Sequence, residues 1–182
     1  MARKNQDIDE LGAILARLGA RAGTIYSVLS HKSMFGRRAT PPQCREIYLD
    51  INGHASHSGL MPSNDKWYFE NGQRIVRSSR LLYLAWLWRD HGVSQAYMRS
   101  MLACEPLDLL ERPQKQIVSA DRAWYLISHM LPPMITAQKM KNITPQIRLL
   151  ACRSCGNPTI ARPENRIVIC PVCATQKDRN AK

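Results

Sequence analysis

Two cysteine pairs constrain what the C-terminal part of this 182-residue chain can become. Cys152-Arg-Ser-Cys155 and Cys170-Pro-Val-Cys173 form a C-x2-C-x14-C-x2-C array, close to the spacing of a four-cysteine metal site. A two-residue gap lets a tight turn aim both thiolates of a pair at one ion, about 2.3 Å away for zinc. Gly156 follows the first pair, where such a turn often needs a residue that tolerates positive φ. Between the pairs, 159–161 and 166–169 read as two strands around the turn residues Pro163, Glu164 and Asn165. The expectation is a zinc-ribbon-like module holding one zinc ion per chain on Cys152, Cys155, Cys170 and Cys173. With few apolar residues of its own, such a unit usually needs the metal to fold. Four thiolates close the coordination shell and leave no position for a substrate water, so the expected site is structural. The rival is a thioredoxin-like redox pair. It requires one CxxC opening a helix after a strand in a βαβ unit, and the sequence pattern matches neither condition.

Charge is distributed unevenly. The net charge of +12 divides into +5 over residues 1–45, zero over 46–138 and +7 over 139–182. Excess cation at both ends suits a polyanionic partner, because each phosphate neutralised releases condensed counterions. Apolar residues make up 45% of the chain, enough to bury a core and to argue against wholesale disorder. No apolar run approaches the roughly 20 residues of a membrane span. The first residues lack the apolar stretch of a signal peptide, so the expected location is the cytoplasm, where thiols stay reduced.

The N-terminal part reads as helical. Ile8, Leu11, Leu15, Leu18, Ala22, Ile25 and Leu29 recur at spacings of 3 and 4 and form one apolar stripe. Asp7, Asp9 and Glu10 sit where negative charge suits a helix start. Gly12, Gly19 and Gly23 weaken a single helix, so two helices meeting near Gly23, with Thr24 as N-cap, are as consistent as one. A polar turn follows at 31–40, and Pro41-Pro42 open a helix reaching Gly53. The pair spanning 24–51 has a helix-turn-helix outline, which makes Gln43 and Arg45 candidates to read bases, and Arg37 and Arg38 in the turn candidates for DNA contact. The structural alternative is a helical pair packed on the core. Residues 52–66 read as loop, and Trp67, Tyr68 and Phe69 as a core anchor. Further helices are expected at 73–91, 93–104 and 120–131, with Pro132-Pro133 ending the last. Cys44 and Cys104 read as buried apolar residues, and His54 and His57 as surface residues. No catalytic constellation stands out, so neither an enzymatic activity nor a small-molecule substrate is expected.

Several stretches together resemble the FlhC family, the C subunit of the bacterial flagellar master transcriptional activator. They are Leu18-Gly19-Ala20-Arg21, then Gly59-Leu60-Met61-Pro62 with Trp67 and Phe69, then Asp121-Arg122-Ala123-Trp124, and finally the paired CxxC units. They occur in the family's order and cover nearly the whole chain. A longer 31–44 region and a short tail after Cys173 depart from the family pattern. The resemblance implies a zinc-binding, DNA-binding activator that works in a hetero-oligomer with the family's D subunit. It further implies binding of double-stranded DNA upstream of flagellar promoters and recruitment of RNA polymerase. The alternative is a zinc-ribbon adaptor that binds protein, with DNA contacted mainly by its partner.

The expected architecture is therefore mainly α: a helical domain over 1–138 that holds the partner, and a basic zinc module over 139–182. The candidate phosphate contacts of the module and its flanks are Lys139, Lys141, Arg148, Arg153, Arg162, Arg166, Lys177 and Arg179.

Overall fold

Among the residues that the computed structural model describes (3–30, 38–104, 117–139 and 145–180), seven α-helices and two strands are found. In chain order they are α1 (Arg3–Arg17), α2 (Ala22–Leu29), α3 (Pro41–Asn52), α4 (Gly72–Leu87), α5 (Val93–Cys104), α6 (Ala120–Lys139), β1 (Arg148–Ala151), β2 (Pro158–Ala161) and α7 (Pro171–Asn180). Short 3-10 turns lie at Asp65–Phe69 and Arg89–His91. The protein is mainly helical with a C-terminal four-cysteine cluster, the class its sequence implies. No helix among the described residues is long and apolar enough to cross a membrane.

The chain divides into two units, Met1–Pro62 with Glu105–Trp124, and Ser63–Cys104 with Tyr125–Lys182. A boundary at 138/139 thus falls inside the second unit.

In the first unit the apolar stripe is buried at Ile8, Leu15, Leu18, Ala22, Ile25 and Leu29, and half-buried at Leu11. Two helices carry it. The break lies at Gly19, whose φ of 81° is the left-handed conformation that costs glycine least. Arg21, not Thr24, occupies the N-cap of α2, and Thr24 is buried within the helix. Helix α1 starts at Arg3, which places Asp7, Asp9 and Glu10 beyond its first turn. Helix α3 follows its sequence signals closely. The Thr40 hydroxyl accepts from the Gln43 N–H at 3.4 Å, Pro41 and Pro42 fill the first turn, and Gly53 ends the helix at φ 71°. Cys44, Ile47 and Tyr48 turn inward. A Cβ on Gly12 of α1 would meet Ile47 Cδ1 at 2.9 Å, so the glycine permits the close α1–α3 approach. Residues 31–37, including Arg37, lie outside the described residues.

The second unit is built around Tyr68, Leu82, Leu126, Met130, Met134, Ile147 and Ile160, with Trp67 and Phe69 packed at its margin. The aromatic triplet is thus a core anchor. Helix α4 ends at Leu87, short of 91, and the chain continues through the 3-10 turn at Arg89–His91. Three arginines on α4 have internal partners. Arg74 pairs with Glu70 and lies 4.1 Å over the Trp67 ring. Arg77 and Arg80 donate to the carbonyls of Cys104 and Ala103, which neutralises the last turn of α5.

Pro132-Pro133 do not end α6, which continues to Lys139. Leu126, Met130 and Met134 recur every four residues and all sit in the core, on both sides of the prolines. Burial of that face offsets an interior proline penalty of roughly 3 kcal/mol.

The sheet also differs from the expected hairpin. Strand β2 pairs antiparallel with β1, with Arg148 opposite Ala161 and Leu150 opposite Thr159. Residues 166–169 form no strand and contribute only a bridge between Val168 and Cys152. The far edge of β2 is closed to them, because the Ile160 N–H donates to Ser79 Oγ of α4 at 2.9 Å.

Candidate metal centre and basic surface

The first cysteine pair lies in a turn directly after β1. The Gly156 N–H donates to the Cys152 carbonyl at 2.8 Å, and Gly156 adopts φ 76°, as the turn reading requires. The second pair opens α7. Cys170 immediately precedes Pro171, the first residue of that helix, and Cys173 lies in its first turn. One of the two conditions for a redox pair, a CxxC at a helix start, is therefore present. The βαβ unit is absent from the described residues, whose sheet has two antiparallel strands.

Two main-chain contacts bring the pairs together. The Arg153 N–H donates to the Val168 carbonyl at 2.9 Å, and the Cys170 N–H donates to Cys152 Sγ at 3.2 Å. The four sulfur atoms lie within 4.8 Å of one another, and Cys155 Sγ is 3.7 Å from Cys170 Sγ. Cys152 and Cys170 are buried, Cys173 is half-buried and Cys155 is exposed. The cluster could hold a metal ion. The Cys152 thiol is drawn down to about 6, first by the Cys170 N–H, which favours its thiolate. The Cys173 thiol is pushed up to about 12, first by its hydrogen bond with Cys155. One anionic sulfur beside a proton-holding neighbour is a set from which an arriving cation displaces protons.

The cluster is anchored to the body of its unit. Ser79 of α4 holds β2, and a Cβ on Gly72 would stand 3.0 Å from the Pro171 Cβ at the start of α7. That close approach explains a glycine at the first position of α4. Pattern reading alone missed both Ser79 and Gly72, since neither carries a motif.

The basic candidates fall into different settings. Arg38, Arg45, Arg153, Arg162 and Arg166 are exposed. Arg162 lies 5.3 Å from the Phe69 ring. Arg148 is half-buried and donates to the carbonyls of Pro163 (2.5 Å) and Asn165 (2.6 Å), tying that loop to β1. Gln43 donates through Nε2 to Asp9 of α1 at 2.8 Å, so its side chain already has a partner within the first unit. Lys141 lies outside the described residues, as do the side chains of Lys139, Lys177 and Arg179. Cys44 and Cys104 are buried, and burial pushes the Cys44 thiol up to about 11, so it stays protonated at neutral pH. His54 and His57 are exposed in their loop.

A polar junction joins three of the segments singled out in the sequence. Asp121 accepts from the Arg21 N–H (3.0 Å), Arg21 Nε (2.5 Å) and the Thr24 hydroxyl (2.5 Å). Arg21 Nη2 reaches the Leu60 carbonyl at 3.3 Å and Met61 Sδ at 3.2 Å. No family model matches the chain, and no curated protein matches it.

Proposed function

We propose that the protein is a DNA-binding transcriptional activator subunit of the FlhC type, working with a D-type subunit and carrying one structural zinc ion. The observation that carries this reading is the junction at Asp121. The Leu18–Arg21, Gly59–Pro62 and Asp121–Trp124 segments are far apart in sequence, yet Arg21 contacts the other two. Motifs that coincide by chance have no reason to meet, whereas motifs of one fold do.

Zinc is favoured by the donor set. Four sulfurs at about 2.3 Å from a tetrahedral ion stand about 3.8 Å apart, and the Cys155–Cys170 separation is 3.7 Å. Cys152, Cys155, Cys170 and Cys173 would hold the ion and cross-link the turn after β1 to the start of α7. A closed four-thiolate shell supplies folding energy and no reactive position. DNA is favoured by the charge of the C-terminal region and by the exposed Arg153 and Arg166, for which no ion pair is found among the described residues. The charge supports sequence-independent phosphate contact, while bases would be read elsewhere or by the partner.

The test is DNA binding by the zinc-loaded chain, alone and with a D-type subunit, to a flagellar upstream promoter fragment across a salt series. Specific binding with a steep salt slope is expected, and Arg153→Ala or Arg166→Ala lowers the slope by about one each on all sequences. No binding in either condition, with zinc fully loaded, would overturn the reading in favour of the protein-binding adaptor.

A further inference from the structure

The four sulfurs of the cluster differ in access. Cys152 is buried, and its sulfur accepts the Cys170 N–H at 3.2 Å. Cys155 is exposed in the turn that ends at Gly156, and its sulfur lies 3.7 Å from Cys170 Sγ. A surface cleft of about 270 Å³ opens beside them, lined by Cys155, Cys170 and Cys173 but not by Cys152. One metal ion takes up a small part of that space. Val76, Pro158 and Val172 give the cleft an apolar wall, and no charged side chain among the described residues lines it.

A closed four-thiolate shell has no open position on the metal, but its sulfurs remain nucleophiles. Coordination requires them as thiolates, and oxidation follows thiolate character and exposure. Cys155 has both. A main-chain N–H draws electron density from the sulfur that accepts it, so Cys152 is the poorer nucleophile as well as the less accessible one. The uncharged, partly apolar lining admits a small neutral oxidant. It offers no counter-charge to a charged one such as glutathione disulfide.

We propose that the cluster is a peroxide-sensitive switch in which Cys155 is oxidised first and Cys170 resolves it. This rests on the metal reading of the cluster and adds a regulation to it. The Cys155 thiolate attacks one oxygen of hydrogen peroxide. An S–O bond forms, the O–O bond breaks, and hydroxide leaves, giving a sulfenic acid. The Cys170 thiolate then attacks Cys155 Sγ. An S–S bond forms, the S–O bond breaks, and a second hydroxide leaves. The two sulfurs lose two electrons, and the peroxide is reduced to two hydroxides that solvent protonates to water. Cys152 and Cys173 alone do not complete a zinc shell, so the ion is lost. The disulfide keeps the turn after β1 tethered to the residue before α7, and a dithiol reductant reverses it.

The test treats the full zinc-loaded chain with hydrogen peroxide. Released zinc is read with a chromogenic chelator, and thiols are mapped by differential alkylation and mass spectrometry. The expected result is stoichiometric zinc release with Cys155–Cys170 as the first disulfide, while the buried Cys44 and Cys104 stay reduced. Dimedone, added with the peroxide, traps Cys155 ahead of the other cysteines. Dithiothreitol with fresh zinc restores the parent state. Cys155→His keeps a zinc donor and removes the oxidisable sulfur, so zinc release slows by about tenfold or more. If that variant does not load zinc, the order of modification in the parent chain decides. The proposal is overturned by zinc retained in millimolar peroxide, by release with Cys155 still reduced, or by a first disulfide that leaves Cys170 free. Release from zinc-loaded Cys155→His at the parent rate overturns it too. A chain that takes up no zinc overturns the metal reading, and this proposal with it. No DNA enters the readout, so the activator reading stands or falls separately.

Discussion

Asp121 shows how one side chain can organise a fold. Its carboxylate is largely buried, and it takes donors from the loop before α2, from the Arg21 side chain and from Thr24 within α2. Removing it would leave a half-buried guanidinium without its counter-charge and a buried hydroxyl without its acceptor. Asp121→Ala is therefore expected to lower stability by about 2–4 kcal/mol. Urea denaturation checks it, and a shift under about 0.5 kcal/mol, typical of a surface site, would show that the junction contributes little. The sequence marked Arg21 and Asp121 only as parts of family motifs. Their pairing across 100 positions has no local signal, and neither does Thr24's role: a threonine after a glycine reads as a cap. What displaced that reading was Gly19, whose positive φ breaks the helix four residues earlier.

Elements were most legible where local chemistry and burial agree. Helix α3 is the clearest case, with Thr40, the two prolines and Gly53 all in their expected roles. Helix α6 is the reverse. Proline removes a donor and crowds the preceding turn, so local chemistry argues for a stop at 132. The helix continues because Met134 belongs to the same buried row as Leu126 and Met130. Such an interior proline is a standing cost, which makes Pro133→Ala a stabilising change of roughly 1–3 kcal/mol. Thermal unfolding monitored by circular dichroism reads it directly; a lower midpoint would mean the prolines shape a bend that the packing needs. The 166–169 segment failed as a strand for a related reason. Its β-branched residues suit a strand, but the outer edge of β2 is occupied by Ser79, and the segment meets the chain just after β1 through the single Val168–Cys152 bridge.

At the scale of the molecule, the four-cysteine cluster is joined to a larger core rather than standing apart. Ile147 and Ile160, on either side of the first cysteine pair, are buried with Tyr68, Leu82 and Leu126. Metal removal should therefore loosen a region rather than unfold a free appendage. Stripping the ion with a chelator is expected to raise hydrogen exchange at residues 148–176, with a smaller effect on the amides of α4 that pack beneath β2. Equal loss of protection throughout 63–104 and 125–182 would show instead that the ion holds the whole second unit. The sequence by itself determined the four-cysteine cluster, the positive-φ turn at Gly156 and the apolar stripe of α1 and α2. These depend on spacing and on the conformational freedom of single residues, which are local properties. Only the tertiary structure decided which strand pairs with β2, that α6 runs through two prolines, and that Arg77, Arg80 and Arg148 serve main-chain carbonyls. Those outcomes turn on which donors, acceptors and apolar faces meet across long stretches of chain, and a linear pattern does not encode such meetings.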